Sequence, residues 1–231
     1  IPTSVTGYTS AQTINPSELN LWRVIKVNTD GTVEMVSDKV SSKEVYFSGK
    51  NGYINLVGGL NTIAAQYTDG KHVLRTRHIG YSNQTETITD TSMLSKTSAP
   101  WTKTTSSGWT ATSSGFTEAQ EAQGAGDIGY TADYKLVNAV YGSMVANNPS
   151  GTATSYWLAS RYFYYYGSTG WSFDGRYVAT SGILDDYFLC IYSRGFNSNS
   201  NSSAVRPIVT LKSTAEKLSG SGTSSSPYVL N

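Results

Sequence analysis

The alternation of apolar and polar residues near the start of the chain predicts a β-hairpin followed by a helix. Two β-prone runs, at Trp22–Val27 and at residues 33–36, are joined by a short segment that ends in Asp30-Gly31. An Asp-Gly pair between two such runs is a strong hairpin signal. Apolar residues then recur at helical spacing over residues 52–65, and Asp69-Gly70 supplies turn chemistry after them. Two glycines inside this second segment lower its helix propensity.

The middle of the chain lacks clear periodicity until a second helix is predicted. Residues 82–117 are rich in Thr and Ser and include Trp101 and Trp109. We expect long loops here, held against the protein by the two indoles, because an indole in a polar segment usually packs against apolar side chains. Thr131 offers an N-cap to a helix with one apolar face, and Gly142 closes it.

Three more strands are predicted towards the end of the chain. They start at Tyr156 and cover residues 186–192 and 204–211, before a Ser/Gly-rich tail over residues 213–231 with a short β-like end. This order of elements predicts a single α+β domain over residues 1–231, with mostly antiparallel strands, two helices and long loops. A parallel doubly wound sheet would require a regular alternation of strands and helices, and the chain has none.

Composition excludes several classes of protein. Charged residues make up 14% of the 231 residues and the net charge is +1, so we expect no nucleic-acid partner. No stretch approaches the roughly 20 apolar residues of a membrane span, so we expect no direct membrane insertion. The single cysteine, Cys190, excludes an internal disulfide framework, and its apolar neighbours favour a small buried hydrophobe over a reactive thiol.

The balance of residue types also suggests a location. The chain is rich in Thr, Ser, Gly, Asn and Tyr and poor in Lys and Glu, as in proteins displayed on a bacterial surface. It begins at Ile1 without a methionine, so we expect that a leader or anchor preceded it. We predict an extracellular location, on a cell surface or a phage particle.

Five residue types are missing from one long window. Residues 172–211 contain no Lys, Glu, Gln, Met or Trp, although these types fill 26 of the first 160 positions. At that background, chance would produce such a window roughly once in a thousand. The five missing types are those that an AAC or AAT codon does not reach when only its adenines are mutated. The window therefore indicates a restriction at the level of codons, and a Ser/Asn/Gly-rich surface segment is the alternative.

Motifs for catalysis or cofactor binding are weak. The string Gly124–Gly129 has the spacing of a dinucleotide loop, but a polar, helix-prone segment precedes it in place of a strand. His72 and His78 have poor spacing for a metal site, and no third ligand is in view. Asp185-Asp186 could suggest a carboxylate pair for acid-base chemistry, but adjacent residues on a strand point to opposite faces. We therefore predict two exposed acids in the binding surface. We predict no enzyme activity, no cofactor and no metal, although a Ser-His-acid triad stays open.

Three segments carry a resemblance to a known family. They are Tyr156-Trp157-Leu158-Ala159-Ser160-Arg161, Val205-Arg206-Pro207-Ile208-Val209-Thr210-Leu211 and Leu21-Trp22-Arg23-Val24-Ile25. With them, the chain resembles the variable proteins of diversity-generating retroelements, especially gut-bacterial and phage-associated surface forms, some of which are pilin-like. The resemblance implies a C-type lectin-like fold, related to that of formylglycine-generating enzymes. It also implies that adenine-directed mutagenesis alters residues on the ligand-binding face.

Two departures limit what the resemblance implies. The Glu-Pro-Asn, Gln-Pro-Asp and Trp-Asn-Asp motifs of calcium-dependent animal lectins are absent from the chain. Formylglycine-generating enzymes rely on a pair of cysteines, and this chain has one. Calcium-mediated sugar binding is therefore not implied, and formylglycine chemistry is not expected.

The predicted binding surface lies within a diversified region at residues 161–205. Binding loops favour Tyr for stiff contact area and Ser, Gly and Asn for adaptable hydrogen bonds. Its predicted members, whose side chains we expect to point to solvent, are Tyr162, Tyr164, Tyr166, Asp174, Arg176, Tyr177, Asp185, Tyr187, Tyr192, Arg194, Phe196, Asn197, Asn199 and Asn201. In residues 162–166 we expect the even positions to face the ligand and Phe163 to face inward.

These residues predict a non-catalytic protein that binds an unknown protein or glycan ligand on a cell surface. The supporting core is predicted to contain Trp22, Trp157, Leu158, Ile208 and Val209. Two alternatives remain, namely a pilin or fibre component and a glycan-binding lectin of fixed specificity.

Overall fold

The computed structural model describes residues 14–80, 101–103, 109–111, 122–123, 146–165, 171–192, 196–223 and 225–231. At residues 101–103, 109–111, 122–123, 162–165, 171, 190–192 and 196–198 it describes the backbone alone. The described residues contain one α-helix, α1 (Gly49–Ala64), and a short 3-10 helix at Pro16–Glu18. The strands are β1 (Trp22–Val27), β2 (Val33–Ser37), β3 (Val45–Ser48), β4 (Val73–His78), β5 (Trp101–Lys103), β6 (Trp109–Ala111), β7 (Ala122–Gln123), β8 (Tyr156–Tyr165), β9 (Trp171–Val178), β10 (Leu184–Tyr192), β11 (Phe196–Ser198), β12 (Ser200–Ser203), β13 (Pro207–Leu211), β14 (Lys217–Ser219) and β15 (Val229–Leu230).

The first sheet is antiparallel and has the strand order β1-β2-β13-β4. The predicted hairpin is confirmed as β1 and β2, and Gly31 in its turn has φ 80°, which glycine adopts without steric cost. Strand β13 lies between β2 and β4, and every one of its residues is buried. Its adjacent residues Ile208 and Val209 pack into two different apolar clusters, because successive side chains leave a strand on opposite faces.

The second sheet has the order β11-β10-β9-β8-β7 and is antiparallel except for the short parallel pair β7 and β8. Strand β9 is its middle strand, with β8 on one side and β10 on the other. The chain then leaves β11 for β12, which pairs with β3 so that Ser200 lies opposite Ser48. Through this pairing, part of the restricted window contacts the strand that directly precedes helix α1.

Helix α1 confirms the first helix prediction and packs against both sheets. Its buried residues include Tyr53, Leu56 and Leu60, which belong to the main apolar cluster. Gly59 is also buried on the packed face, whereas Gly58 is partly exposed. Tertiary packing of the apolar face outweighs the low helix propensity of these two glycines.

The core is centred on Trp157. Its indole is fully buried, makes edge contacts with Phe47 and Tyr187 at centroid distances of 5.5 and 5.4 Å, and donates from Nε1 to the Val45 carbonyl at 2.7 Å. Burial of Trp157, Leu158, Ile208 and Val209 confirms the predicted core. Trp22 is only partly buried, because it lies on the edge strand β1 and packs against the cluster from outside.

Several sequence predictions are corrected or lie outside the described residues. The mostly antiparallel prediction is confirmed, and the described part of the chain has one α-helix, while the second predicted helix at residues 131–142 lies outside it. Within the segment predicted as loops, β5 and β6 pair as antiparallel strands. In the tail, the predicted β-like end is strand β15, which pairs with β14. In the part of the chain that the structure describes, no helix has both the length and the apolar character needed to cross a membrane.

Candidate binding surface

The restricted window of residues 172–211 forms the strands β9 to β13. Alternation along β9 divides its residues between two faces of the second sheet. One face packs against helix α1 and carries Phe173, Gly175 and Tyr177. The opposite face carries Ser172, Asp174 and Arg176. The window residues on the helix side of β9 therefore belong to the core.

Gly175 shows how tightly the helix side is packed. A Cβ atom at this position would lie 2.5 Å from Leu56 Cδ1 and 2.9 Å from Trp157 Cζ3, which is too close for real carbon atoms. The neighbouring Phe173 makes an edge contact with Tyr53 at a centroid distance of 5.0 Å. These window positions belong to the supporting framework, since close-packed interiors do not accept added volume without strain.

Two predicted contact tyrosines also belong to this framework. The rings of Tyr177 and Tyr187 stack with their centroids 3.8 Å apart and their planes 3° apart. Tyr177 is 8% exposed and donates from Oη to Asp185 Oδ2 at 3.2 Å, and Tyr187 leans edge-on against Trp157. Burial, and then the neighbouring Tyr187 and Asp185, raise the pKa of Tyr177. The expected solvent-facing position of Tyr177 is wrong, because the ring covers the core.

Asp174 and Arg176 form a buried polar group on the other face of β9. Asp174 is 0% exposed and Arg176 is 6% exposed, and Ser172 Oγ donates to Asp174 Oδ2 at 2.9 Å. On β10, Asp186 lies directly opposite Arg176. Burial first, and then the charge of Asp186, raise the pKa of Asp174 well above its usual value. The solvent-facing prediction is wrong for Asp174 and Arg176, because the face of β9 that points away from helix α1 is buried as well.

The adjacent acids on β10 make contacts on opposite faces of the sheet. Asp185 is exposed and accepts from Tyr177 on the helix side. Asp186 is half-buried, and on the other side of the sheet its pKa responds to the charge of Arg176 and to the nearby Asp174. The predicted divergence of the pair is confirmed, whereas the prediction that both are exposed holds for Asp185 only.

An exposed strip runs from β10 to β12. We define the β10–β12 strip as Asp186, Phe188, Asn199 and Asn201. Phe188 is 41% exposed, and its carbonyl accepts from Asn201 Nδ2 at 2.9 Å. The backbone amide of Asn199 donates to the Leu189 carbonyl at 3.0 Å, which holds the two segments together. The strip therefore combines the apolar ring of Phe188 with polar side chains, and hydrogen bonds to the backbone of β10 fix its position.

Sequence reasoning missed Phe188 as a member of this surface, whereas Asp186 was predicted as one of two exposed acids in it. Phe188 stands in an apolar run that also contains Leu189 and Ile191, and such a run favours a fully buried strand. Leu189 is buried in the core, whereas Phe188 lies on the opposite face of β10 and is exposed. The alternation from Asp186 to Phe188 was the available signal, since two positions along a strand share a face.

The remaining predicted contact residues stay predictions. Backbone pairing places Tyr162 opposite Asp174, Phe163 opposite Phe173 and Tyr164 opposite Ser172. Tyr192, Phe196 and Asn197 lie on β10 and β11. Their side chains, like that of Cys190, are outside the described residues, and so are Tyr166 and Arg194. The glycine-rich string at residues 124–129 also lies outside the described residues.

The two histidines have structural contacts. His78 is buried, with Nε2 accepting from the Arg206 amide at 3.0 Å and Nδ1 donating to the Ile79 carbonyl at 3.1 Å. His72 Nδ1 lies 2.6 Å from Asp69 Oδ2. Among the described residues, no three His, Cys, Asp or Glu side chains come together in a group that could hold a metal ion.

Comparison of the chain with family models, with curated proteins and with solved structures gives no match. The interpretation of the β10–β12 strip therefore depends on the residues of this chain and on their geometry.

Proposed function

We propose that this chain is a non-catalytic binding protein that presents a diversified surface, built on a C-type lectin-like domain, to a protein or glycan on a cell surface. In this proposal the surface includes the β10–β12 strip and the predicted residues of β8 and β11. Adenine-directed mutagenesis by a retroelement is the proposed source of its variation. The protein acts outside the cell, on a bacterial or phage surface.

One observation carries this proposal, namely the missing residue types in residues 172–211. A restriction that removes Lys, Glu, Gln, Met and Trp together has no obvious origin in packing, because these types differ in size and polarity. It does match the products of adenine mutation in AAC and AAT codons. A stable protein needs no such rule, whereas a repeatedly rewritten surface does.

The packing of the window supports the same proposal. A diversified surface requires exposed positions whose replacement leaves the core intact, and Phe188 and Asn199 are such positions. It also requires positions that hold the surface in place, and Phe173, Gly175 and Leu189 fulfil that role. An exposed aromatic ring beside Asn side chains gives the combination of stiff and adaptable contacts that binding loops use.

A library experiment tests the proposal. Phe188, Asn199 and Asn201 are randomised with AAC codons mutated at their adenines, and the displayed library is selected for binding to hen lysozyme. We expect most members to fold, with the same elution volume in size-exclusion chromatography, and selection to enrich specific binders. Surface substitutions away from buried features usually change stability by no more than about 0.5 kcal/mol.

A matched control library separates a binding surface from an ordinary exposed one. It randomises three apolar positions of the first sheet, Val24, Val27 and Leu74, which are 52%, 68% and 53% exposed. We expect fewer binders from this library. Equal enrichment from both libraries would contradict the proposal. A change of oligomeric state on varying the strip would favour an assembly surface, because a self-complementary interface does not survive arbitrary replacement.

A further inference from the structure

A buried carboxyl group lies beside the β10–β12 strip, on the neighbouring strand β9. Asp174 is fully buried on the middle strand of its sheet, and Ser172 Oγ supplies a hydrogen bond to its Oδ2 atom only. Its Oδ1 atom has no hydrogen-bond donor among the described residues. Buried polar atoms are nearly always hydrogen-bonded, so this oxygen requires an explanation.

A second carboxyl group, that of Asp186, lies close to Asp174 on the neighbouring strand. Backbone pairing places Asp186 opposite Arg176 and Phe188 opposite Asp174, so Asp174 and Asp186 are diagonal neighbours on one face. Each of the two carboxyl groups influences the pKa of the other, which requires the two side chains to lie close together. Two ionised carboxylates cannot hydrogen-bond each other, because each only accepts, whereas a protonated carboxyl group donates.

We propose that Asp174 carries a proton in the folded protein and donates it from Oδ1 to the Asp186 carboxylate, which makes the contact between β9 and β10 beside the β10–β12 strip dependent on one proton. The second carboxylate, Asp186, faces Arg176 across the strands. With the proton in place, the three groups carry no net charge, which is the state that burial favours.

The surrounding groups support one proton in this position. Among the described side chains, the charged groups near the pair are Arg176 on β9 and Asp185 next to Asp186 on β10. On β8, the backbone partner of Asp174 is Tyr162. Burial is the main cause that raises the pKa of both Asp174 and Asp186. A divalent cation in place of the proton would leave a net positive charge beside Arg176, so a proton suits the site better than a metal ion.

Loss of the proton would place two carboxylates in contact and push β10 away from β9. Because Asp186 belongs to the strip and Phe188 lies two positions along, the strip would change with the pair. The biological meaning of this inference rests on the proposed function, since a proton-dependent strip would bind its ligand below the folded pKa of Asp174 and release it above that pKa.

Carboxyl carbon NMR tests the inference on the intact protein without any ligand. We expect one Asp side-chain carbon of the wild type to titrate well above the usual range near pH 4, and the Phe188 ring signals to shift with the same midpoint. In Asp174→Asn, which keeps a donor at this position, the Asp174 titration and the matching shift of the Phe188 ring should disappear, whereas Asp186 still titrates. In the matched control Asp185→Asn, both should remain. Titration of every wild-type Asp carboxyl group below about pH 5 would overturn the inference.

Thermal melting gives a second measurement. Because the proton binds more tightly to the folded than to the unfolded chain, the wild type should lose stability as the pH rises above about 4, up to the folded pKa of Asp174. The melting temperature of Asp174→Asn relative to wild type should therefore increase with pH over this range, and that of Asp185→Asn should not. A constant difference between wild type and Asp174→Asn would contradict the proposal.

Millimolar calcium chloride distinguishes a proton from a metal ion. It should leave the carboxyl titration unchanged. A calcium-dependent shift of the Asp174 signal would show that the site binds a cation and would contradict the proposal. Failure of these measurements would leave the library experiment intact, since none of them involves binding. Failure of the library experiment would likewise leave the shared proton in place.

Discussion

The deepest histidine of the chain gives a quantitative prediction about acid stability. His78 is 2% exposed at the end of β4. Its Nε2 atom accepts from the Arg206 amide and its Nδ1 atom donates to the Ile79 carbonyl, so the ring is neutral with its proton on Nδ1. A second proton on Nε2 would face the Arg206 N–H donor and would be buried near the charge of Arg77.

The sign and size of the effect follow from the shift of the His78 pKa. Burial first, and then the charge of Arg77, lower the pKa from 6.5 to about 4, although the hydrogen bond to Ile79 opposes this shift. The unfolded chain therefore takes up a proton at a higher pH than the folded chain does. The contribution is fully present above pH 6.5 and is lost as the pH falls through about 4. A shift of this size is worth roughly 3 kcal/mol of unfolding free energy.

Urea unfolding of wild type and His78→Gln between about pH 7.5 and pH 4 measures this contribution. Gln keeps an acceptor for the Arg206 amide but does not titrate in this range, so the variant should lose less stability on acidification. All other titrating groups are common to both proteins and cancel in the difference. The imidazole NMR signal of His78, identified by comparison with His72→Gln, should titrate near pH 4, well below that of a free histidine. A difference in unfolding free energy that stays constant across this pH range would refute the reasoning.

Two further predictions concern the framework behind the strip. Trp157→Ala should lower the unfolding free energy by about 3 to 5 kcal/mol, because it empties a buried aromatic site and leaves the Val45 carbonyl without its indole donor; a near-neutral result in urea unfolding would show that the site is not core. Gly175→Ala should cost about 1 to 3 kcal/mol through overpacking against Leu56 and Trp157, whereas Phe188→Ala, an exposed position on the neighbouring strand, should be close to neutral in the same assay.

Local patterns predicted the elements whose stability depends on residues close together in the chain. The hairpin of β1 and β2 forms around Asp30-Gly31, and helix α1 forms where apolar residues recur at helical spacing. These signals act over a few residues, so they can be read without knowledge of the fold. The buried position of Trp157 was also predictable, because it lies in a strongly β-prone apolar run.

The candidate surface was predicted less well, and particular residues show why. Asp174 and Arg176 are polar and were expected to be exposed, yet each is buried on a middle strand. Phe188 is apolar and stood in a run that favours burial, yet it is exposed. Residue type predicts exposure only on average, and the groups that the fold brings next to each side chain decide the individual case.

The sequence by itself determined where the restricted window lies, which residue types it contains, and the local hairpin and helix that precede it. The tertiary structure decided which of the window residues belong to the framework and which belong to the β10–β12 strip. This division depends on pairings between distant segments, such as Ser200 with Ser48 and Asp186 with Arg176. Burial arises from the neighbours that such pairings bring together, and neither the residue type nor the local period contains that information.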